Sequence, residues 1–449
     1  MEKNNKIKKK NETGNFSGGI GFVLAAAGSA VGLGNLWRFP YLAAKYGGGI
    51  FILVYVILAL TFGFTLMTTE IAIGRKTLAS PIRAYGKLLP KFSFLGYLAA
   101  LVPLLIVPYY SVIGGWILKY VWVFLSGNMK MAAQPEFFAN FTGKTIEPIV
   151  CFAIYALLTV IVVLAGVQKG IEKLSRILMP LLVIITVIIS VYVLTLPGAG
   201  KGAAYYLLPD FSKFSFQTIQ AAMGQMFYSM SLAMGIMITY GSYTKRSVSL
   251  VKSVNQIEFF DTFIALFAGL MIIPTVYIYA GEQGLEKSGP ELMFVAMPQI
   301  FAKMKGGYII GTLFFVLVLF AALTSSISIM EALVASLMEK FKVGRKMACA
   351  MVLVVIFLFG IPSSMGFGAW SSVKILGRNF LDFFDFISNN VLMPIVAFAT
   401  CILVGWIIGP KVVTDEVTRN NEKFGRKKLF YVMVKYVAPV LLLMILFVN

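Results

Sequence analysis

Two stretches of this chain hold residues that a membrane helix does not ordinarily carry: Gly28-Ser-Ala-Val-Gly-Leu-Gly34, and the run from Gln225 to Gly235 with Ser229 and Ser231 inside it. An intact helix uses its carbonyls and amides internally, so an ion or zwitterion crossing the bilayer finds no backbone partner along it. Interrupting the helix frees those groups, and non-helical backbone at membrane depth is tolerated only where it lines a cavity or is buried in protein. The half-helix ends then offer amides to a carboxylate and carbonyls to a cation. A third stretch, Thr324-Ser325-Ser326, puts hydroxyl oxygens into an apolar run. Hard cations bind oxygen. Each stretch has a bland alternative: small residues allow close helix packing, and lone hydroxyls bond neighbouring helices. Two breaks in corresponding positions of two halves instead point to an inverted-repeat transporter with its site at the midplane.

These stretches need helices to hold them, and the composition supplies little else. Of 449 residues, 59% are hydrophobic and 13% charged, and the mean hydropathy is +0.85. That balance describes an all-α integral membrane protein. Segments of alternating polarity are absent, which argues against a β-barrel. The net charge of +20 sits in short loops between apolar runs. It forms no nucleic-acid-reading motif, so no nucleic-acid partner is expected. Cys151, Cys349 and Cys401 lie inside apolar runs without a Cys-x-x-Cys pair, and the chain has no His. Neither a zinc site nor a histidine relay is therefore available. No Gly-x4-Gly-Lys-Ser/Thr run and no covalent-catalysis constellation appear, so the chain reads as neither an ATP-driven pump nor an enzyme.

Apolar runs place spans at 20–45, 48–74, 94–125, 148–166, 171–196, 216–241, 250–280, 306–338, 346–361, 379–409 and 429–448, eleven in all. The first break opens the first span and the second opens the sixth. Loops rich in Lys and Arg alternate with poorer ones, which places the N-terminus in the cytoplasm and, with an odd number of spans, the C-terminus outside, in a cytoplasmic (inner) membrane. The basic start and small residues at Ala25, Ala27 and Ser29 mimic a cleavable leader. The run from Ile20 to Ala27 is marginal for one, and the expectation is a retained, solvated tail. The expected organisation is a cytoplasmic tail over 1–14, a first five-helix repeat over 15–196, a second over 197–409, and a cytoplasmic loop with the eleventh helix over 410–449.

The sequence from Ala25 to Phe51, followed by Thr69-Glu-Ile-Ala-Ile-Gly-Arg75, closely resembles the first two helices of the neurotransmitter:sodium symporter family in its prokaryotic amino-acid branch. Pro108-Tyr-Tyr110, Met237 to Tyr243 and Ala322 to Met330 extend the resemblance over essentially the whole chain. It implies the five-plus-five inverted repeat of the LeuT fold, with broken first and sixth helices, alternating access and sodium coupling.

Carried over residue by residue, the resemblance implies two sodium sites. One uses carbonyls of Gly28, Val31 and Ala321 with the hydroxyls of Thr324 and Ser325. The other uses the Ala30 carbonyl, Asn35, Ser229 and Asp261, where the family usually has Asn. Chloride-dependent relatives hold the anion with Tyr, Gln, Ser, Asn and Ser; this chain has Tyr55, Gln225 and Ser229, then Asp261 and Ala265. Asp261 therefore reads as the charge that chloride supplies elsewhere, so no chloride is expected. With sodium gone it would be an uncompensated buried carboxylate that takes up a proton, which makes proton counter-transport on the return step an expectation. The bland alternative is a structural pairing of Asp261 with a neighbour.

The same resemblance seats a substrate carboxylate on that sodium, the amides of Leu33 and Gly34 and the Tyr110 hydroxyl. The amine meets carbonyls of Ala30, Tyr228, Ser229 and Ser231. Monoamine carriers place an Asp where this chain has Gly32, which favours an amino acid. Ile106, Tyr110, Tyr228, Ser231, Met234, Ser325 and Ile329 would surround a neutral hydrophobic or aromatic side chain, with Met234, where the leucine transporter has Phe, a pliable wall. Arg38 and Asp385 form the implied outer gate with Tyr228 as the lid, and Tyr243 and Glu339 belong to the inner gate. The family's N-terminal Arg and Trp are Thr13 and Phe16 here, which puts an Arg lock on Glu339 in doubt and leaves Lys10 as a substitute. Glu70 would brace the breaks by accepting free amides, and Gly170 and Pro180 match a Gly-x9-Pro pattern that some relatives unwind. The competing class is an amino-acid sensor or facilitator of the same fold. The exact amino acid, the sodium stoichiometry and the oligomeric state are not legible from these residues.

Overall fold

In a computed structural model, residues 14–285 and 289–448 are described, and among them the structure is helical, with only isolated bridges such as Gly48 to Pro209. Nine helices among the described residues are long and apolar enough to cross a membrane. A tenth crossing is a bent pair, Gly19–Ala30 and Gly34–Lys45, with 46° between its halves. The expected sixth span is represented by two short helices, Phe216–Ser229 and Ile236–Ser242, separated by the break. Both breaks thus fall where free backbone was expected.

The long third and eighth spans, Pro90–Leu125 and Gly307–Phe341, pack on each other and form the wall beside the breaks. With a helical rise of about 1.5 Å per residue, the eighth span is about 50 Å long, well beyond a hydrocarbon core, so it projects past the bilayer or tilts within it. The first half-helix, Gly19–Ala30, packs against the fifth, seventh and eighth spans, and the second span, Gly49–Thr77, contacts both halves of the sixth.

Two glycines explain the tightness of that last contact. A Cβ on Gly74 would stand 1.9 Å from the Ile238 carbonyl oxygen, and one on Gly241 would stand 2.3 Å from that of Ile71. The motifs around Gly74 and Gly241 are thus the two faces of one backbone contact, which only glycine permits.

Candidate functional site

The first helix stops at Ala30, and Val31 turns into extended backbone (φ −79°, ψ 99°) before a π-turn over Gly34–Arg38 restarts it. The second break is sharper. Ser231, Ala233 and Gly235 all have positive φ (53°, 59° and 70°). That conformation costs a side-chain-bearing residue about 1 kcal/mol or more and persists only when surroundings hold it. Part of that hold is Glu70, buried in the second span, which accepts from the Ala233 amide at 2.6 Å. It takes that amide from the second break, and no amide of the first break is among its recorded partners. The two breaks are joined directly: the Ser231 hydroxyl donates to the Ser29 carbonyl at 2.9 Å, and the Ser29 hydroxyl donates to Ser231 at 3.0 Å.

Between the breaks lies a small cavity of about 20 Å³. That is room for roughly one water. Its lining brings together Ala30, Leu33, Gly34, Ile106, Tyr110, Tyr228, Ser231, Met234, Ser325 and Ile329, with Ser29 and Gly32 added. Ser229 is not in that lining and lies among Tyr55 and Asp261 instead. Tyr110 reaches toward the Leu33 amide, with 3.5 Å between nitrogen and hydroxyl oxygen. A side chain at Gly32 would begin 2.4 Å from the Ser325 hydroxyl and 3.2 Å from that of Tyr110, so the volume an acid would need is already filled.

Behind the cavity, Asp261 is fully buried. One carboxylate oxygen accepts from the Asn35 amide at 2.8 Å, and the other from Tyr55 at 2.6 Å and from Ser229 at 3.3 Å. Tyr55 and Ser229 also bond each other at 2.8 Å, and Gln225 donates to the Gly34 carbonyl at 2.8 Å. Every recorded partner of Asp261 is neutral, and no ion pair to it exists among the described residues. The structural alternative, a pairing of Asp261 with its neighbours, is met by the hydrogen bonds from Asn35, Tyr55 and Ser229, none of which brings a positive charge. A buried carboxylate in low dielectric is costly unless a cation or a proton joins it.

Thr324 and Ser325 face the first break from the eighth span. Thr324 donates to the Phe320 and Ala321 carbonyls, each at 3.0 Å, and Ser325 donates to Ser29 at 3.1 Å and to Gly28 at 3.5 Å. A Cβ on Gly28 would meet that of Thr324 at 3.3 Å, so the two elements are in contact at this point. Carbonyls of Gly28 and Ala321 and both hydroxyls therefore gather in one place, all of them uncharged.

The gate residues divide. At the expected outer gate, Arg38 lies over the Tyr228 ring, 5.5 Å from its centroid, while Asp385 accepts from Tyr109 at 3.0 Å and from Asn389 at 2.6 Å. Arg38 and Asp385 are not in ion-pair contact with each other. At the expected inner gate, Glu339 accepts from the amide and hydroxyl of Ser80 at 3.0 and 2.6 Å. Lys10 and Thr13 lie outside the described residues. Tyr243 donates to Glu331 at 2.8 Å, and Arg345 holds Glu331 with two bonds of 2.6 and 2.9 Å. Phe16 packs edge-on against Tyr240, with 5.4 Å between ring centroids. The Gly-x9-Pro segment is helical rather than unwound here: it begins with a π-turn over Val167–Glu172 and continues through Pro180.

The acid Glu331 and its partner Arg345 were not picked out from the residues. The signal was present, since an acid in the middle of an apolar run needs a partner just as Asp261 does.

A family model described as the sodium:neurotransmitter symporter family matches residues 13–140 and 136–449. A Bacillus subtilis protein described as an uncharacterized sodium-dependent transporter is 34% identical over 438 residues, covering 96% of each chain. A human sodium- and chloride-dependent taurine transporter is 26% identical over 90% of this chain and 72% of its own. Among solved structures, MhsT in complex with L-phenylalanine is 35% identical and superposes with a TM-score of 0.88 over 96% of this chain and 98% of that one.

Proposed function

Because the chain belongs to the sodium:neurotransmitter symporter family and is a sodium-dependent transporter of the LeuT fold rather than an enzyme, we propose that it takes up a neutral hydrophobic or aromatic L-amino acid together with sodium, without chloride. The observation that carries this reading is the buried Asp261 carboxylate with only neutral partners, set directly behind a cavity walled by two interrupted helices.

A sodium ion beside Asp261 would satisfy its charge, and a substrate carboxylate would complete the ion's shell from the cavity side. The amides of Leu33 and Gly34 would share that carboxylate, and the carbonyls of the second break would take the amine. Such pairing makes the two affinities interdependent: each ligand binds more tightly when the other is present, by the same factor. Gly32 supports an amino acid over an amine, since the carboxylate arrives with the substrate. Ile106, Met234 and Ile329 supply an apolar wall, which favours a hydrophobic or aromatic side chain, and the phenylalanine held by MhsT is of that class.

A second sodium at Gly28, Val31, Ala321, Thr324 and Ser325 would pin the first break to the eighth span. The cavity must widen to admit an amino acid, so binding and movement of the break segments are coupled. Access would then alternate, with Tyr228 under Arg38 on one side and the Tyr243, Glu331 and Arg345 set on the other. The five-plus-five division at 15–196 and 197–409 and a cytoplasmic N-terminus belong to this proposal.

The test is uptake of radiolabelled amino acids into proteoliposomes, with an inward sodium gradient against a potassium control and gluconate in place of chloride. Sodium-dependent accumulation above equilibrium is the expected result. Sodium-stimulated binding without accumulation would make the protein a sensor instead.

A further inference from the structure

Where the seventh span begins, its outer face forms one side of a groove of about 660 Å³, closed on the other side by the loop that leads into the eleventh span. Lys252 and Lys423 line it from opposite elements, together with Asn255, Gln256, Phe259 and Phe260. Both lysines are exposed, and neither has an ion-pair partner among the described residues. One acid, Glu422, shares the groove and accepts from the Ser249 hydroxyl at 2.7 Å, so the two lysines outnumber it and leave the groove with a net positive charge. The neighbouring Arg426 is likewise paired, with Glu258 at 2.8 Å, and stacks 3.5 Å over the Phe64 ring.

Phe259, in the lining of the groove, begins a ladder of rings. Phe259, Phe263 and Phe267 have centroid separations of 5.7 and 4.3 Å, and Phe259 is 63% exposed. Residues four apart share one face of a helix, so the three rings form a single stripe. The helix that carries them, Leu250–Gly281, is one of the apolar spans, and Phe263 and Phe267 are half-buried on it. A net positive groove at the head of an apolar stripe matches one class of occupant, a molecule with an anionic head and a hydrocarbon tail.

We propose that this groove binds an anionic phospholipid. Its phosphate sits between Lys252 and Lys423, its glycerol and ester oxygens meet Asn255 and Gln256, and one acyl chain lies along Phe259, Phe263 and Phe267. The lipid bridges the seventh span, which carries Asp261, to the loop before the eleventh span, two elements otherwise joined here by Ser249 and Arg426.

The test is native mass spectrometry of the full-length protein, delipidated in neutral detergent and titrated with phosphatidylglycerol or with phosphatidylcholine of the same chains. One phosphatidylglycerol should be retained in preference to phosphatidylcholine. The double variant Lys252→Gln with Lys423→Gln should weaken its retention about 25-fold, roughly five-fold for each lysine placed at an anionic headgroup. Sodium-dependent uptake by that variant in pure phosphatidylcholine vesicles should equal wild type, which shows that it folds. Equal retention of the two lipids, or an unchanged double variant, overturns the proposal. Displacement of the lipid by millimolar inorganic phosphate also overturns it, because the site would then hold a free anion.

Discussion

The two candidate cation sites both draw on the first break, yet they differ in kind. Around Asp261 the protein has buried a full charge and surrounded it with the neutral donors Asn35, Tyr55 and Ser229, so the site is incomplete as a charge distribution. Around Thr324 and Ser325 every oxygen is neutral, and both hydroxyls already donate to carbonyls. The first site therefore responds to what occupies it. The second responds to where its walls are, because its oxygens come from two elements that must stay in contact. On the proposed reading, the comparison teaches that charge balance and conformational coupling would fall to separate oxygen sets beside one cavity.

Substituting the acid should separate the sites most strongly. Asp261→Asn removes the charge while keeping the shape, and sodium-driven uptake in gluconate should fall about a hundred-fold or more, the consequence of breaking a buried ionic interaction of about 3–5 kcal/mol. Added chloride should recover part of the loss, since Tyr55, Gln225 and Ser229 remain in place. Intact, chloride-independent uptake by this variant would remove Asp261 from the mechanism.

The neutral site predicts a smaller change. Thr324→Ala combined with Ser325→Ala should raise the sodium concentration for half-maximal uptake by about ten-fold, as two neutral hydroxyl oxygens at a net of about 0.5–1.5 kcal/mol each supply about 1–3 kcal/mol together. Chloride should make no difference to this variant. An unchanged sodium dependence would place the second cation elsewhere.

Acid should distinguish the two sites within the wild-type protein. A proton and a sodium ion compete for the Asp261 carboxylate, so lowering the pH should raise the sodium requirement of wild type, and the requirement of Asp261→Asn should be flat. A proton-sensitive step in that variant would contradict a single titrating carboxylate. The smallest expected effect concerns selectivity: Met234→Phe stiffens and narrows the cavity wall and should shift the uptake ratio several-fold from aromatic toward smaller apolar substrates, below or within the range of about 10–200-fold that one methylene can command. Competition by unlabelled amino acids measures the ratio.

Much of this arrangement was legible in the residues because bilayers punish exceptions. Gly28 to Gly34, Asp261 and Thr324 stand out against apolar surroundings, and each can be explained only by a cavity, a cation or a neighbouring helix. The motifs around Gly74 and Gly241 were recognisable too, although only the fold shows that they touch each other. The gates were less legible. Arg38 and Asp385 both face other partners in this conformation, and among the described residues Glu339 is held by Ser80 while Arg345 pairs with Glu331. Pairings of this sort depend on which of several conformations the helices adopt, and a residue list carries no information about that choice.

By itself, then, the amino-acid sequence determined that this is a helical membrane protein, where its helices are interrupted, and which chemical groups stand at the interruptions. The cause is local: a hydrocarbon solvent forces every backbone and charged group to declare its partner within a few residues. Tertiary structure alone decided that Ser231 bonds to Ser29, that Glu331 meets Tyr243 and Arg345, and that Lys252 and Lys423 share a groove. Those contacts join residues far apart in the chain, and only the packing of whole helices brings them within reach.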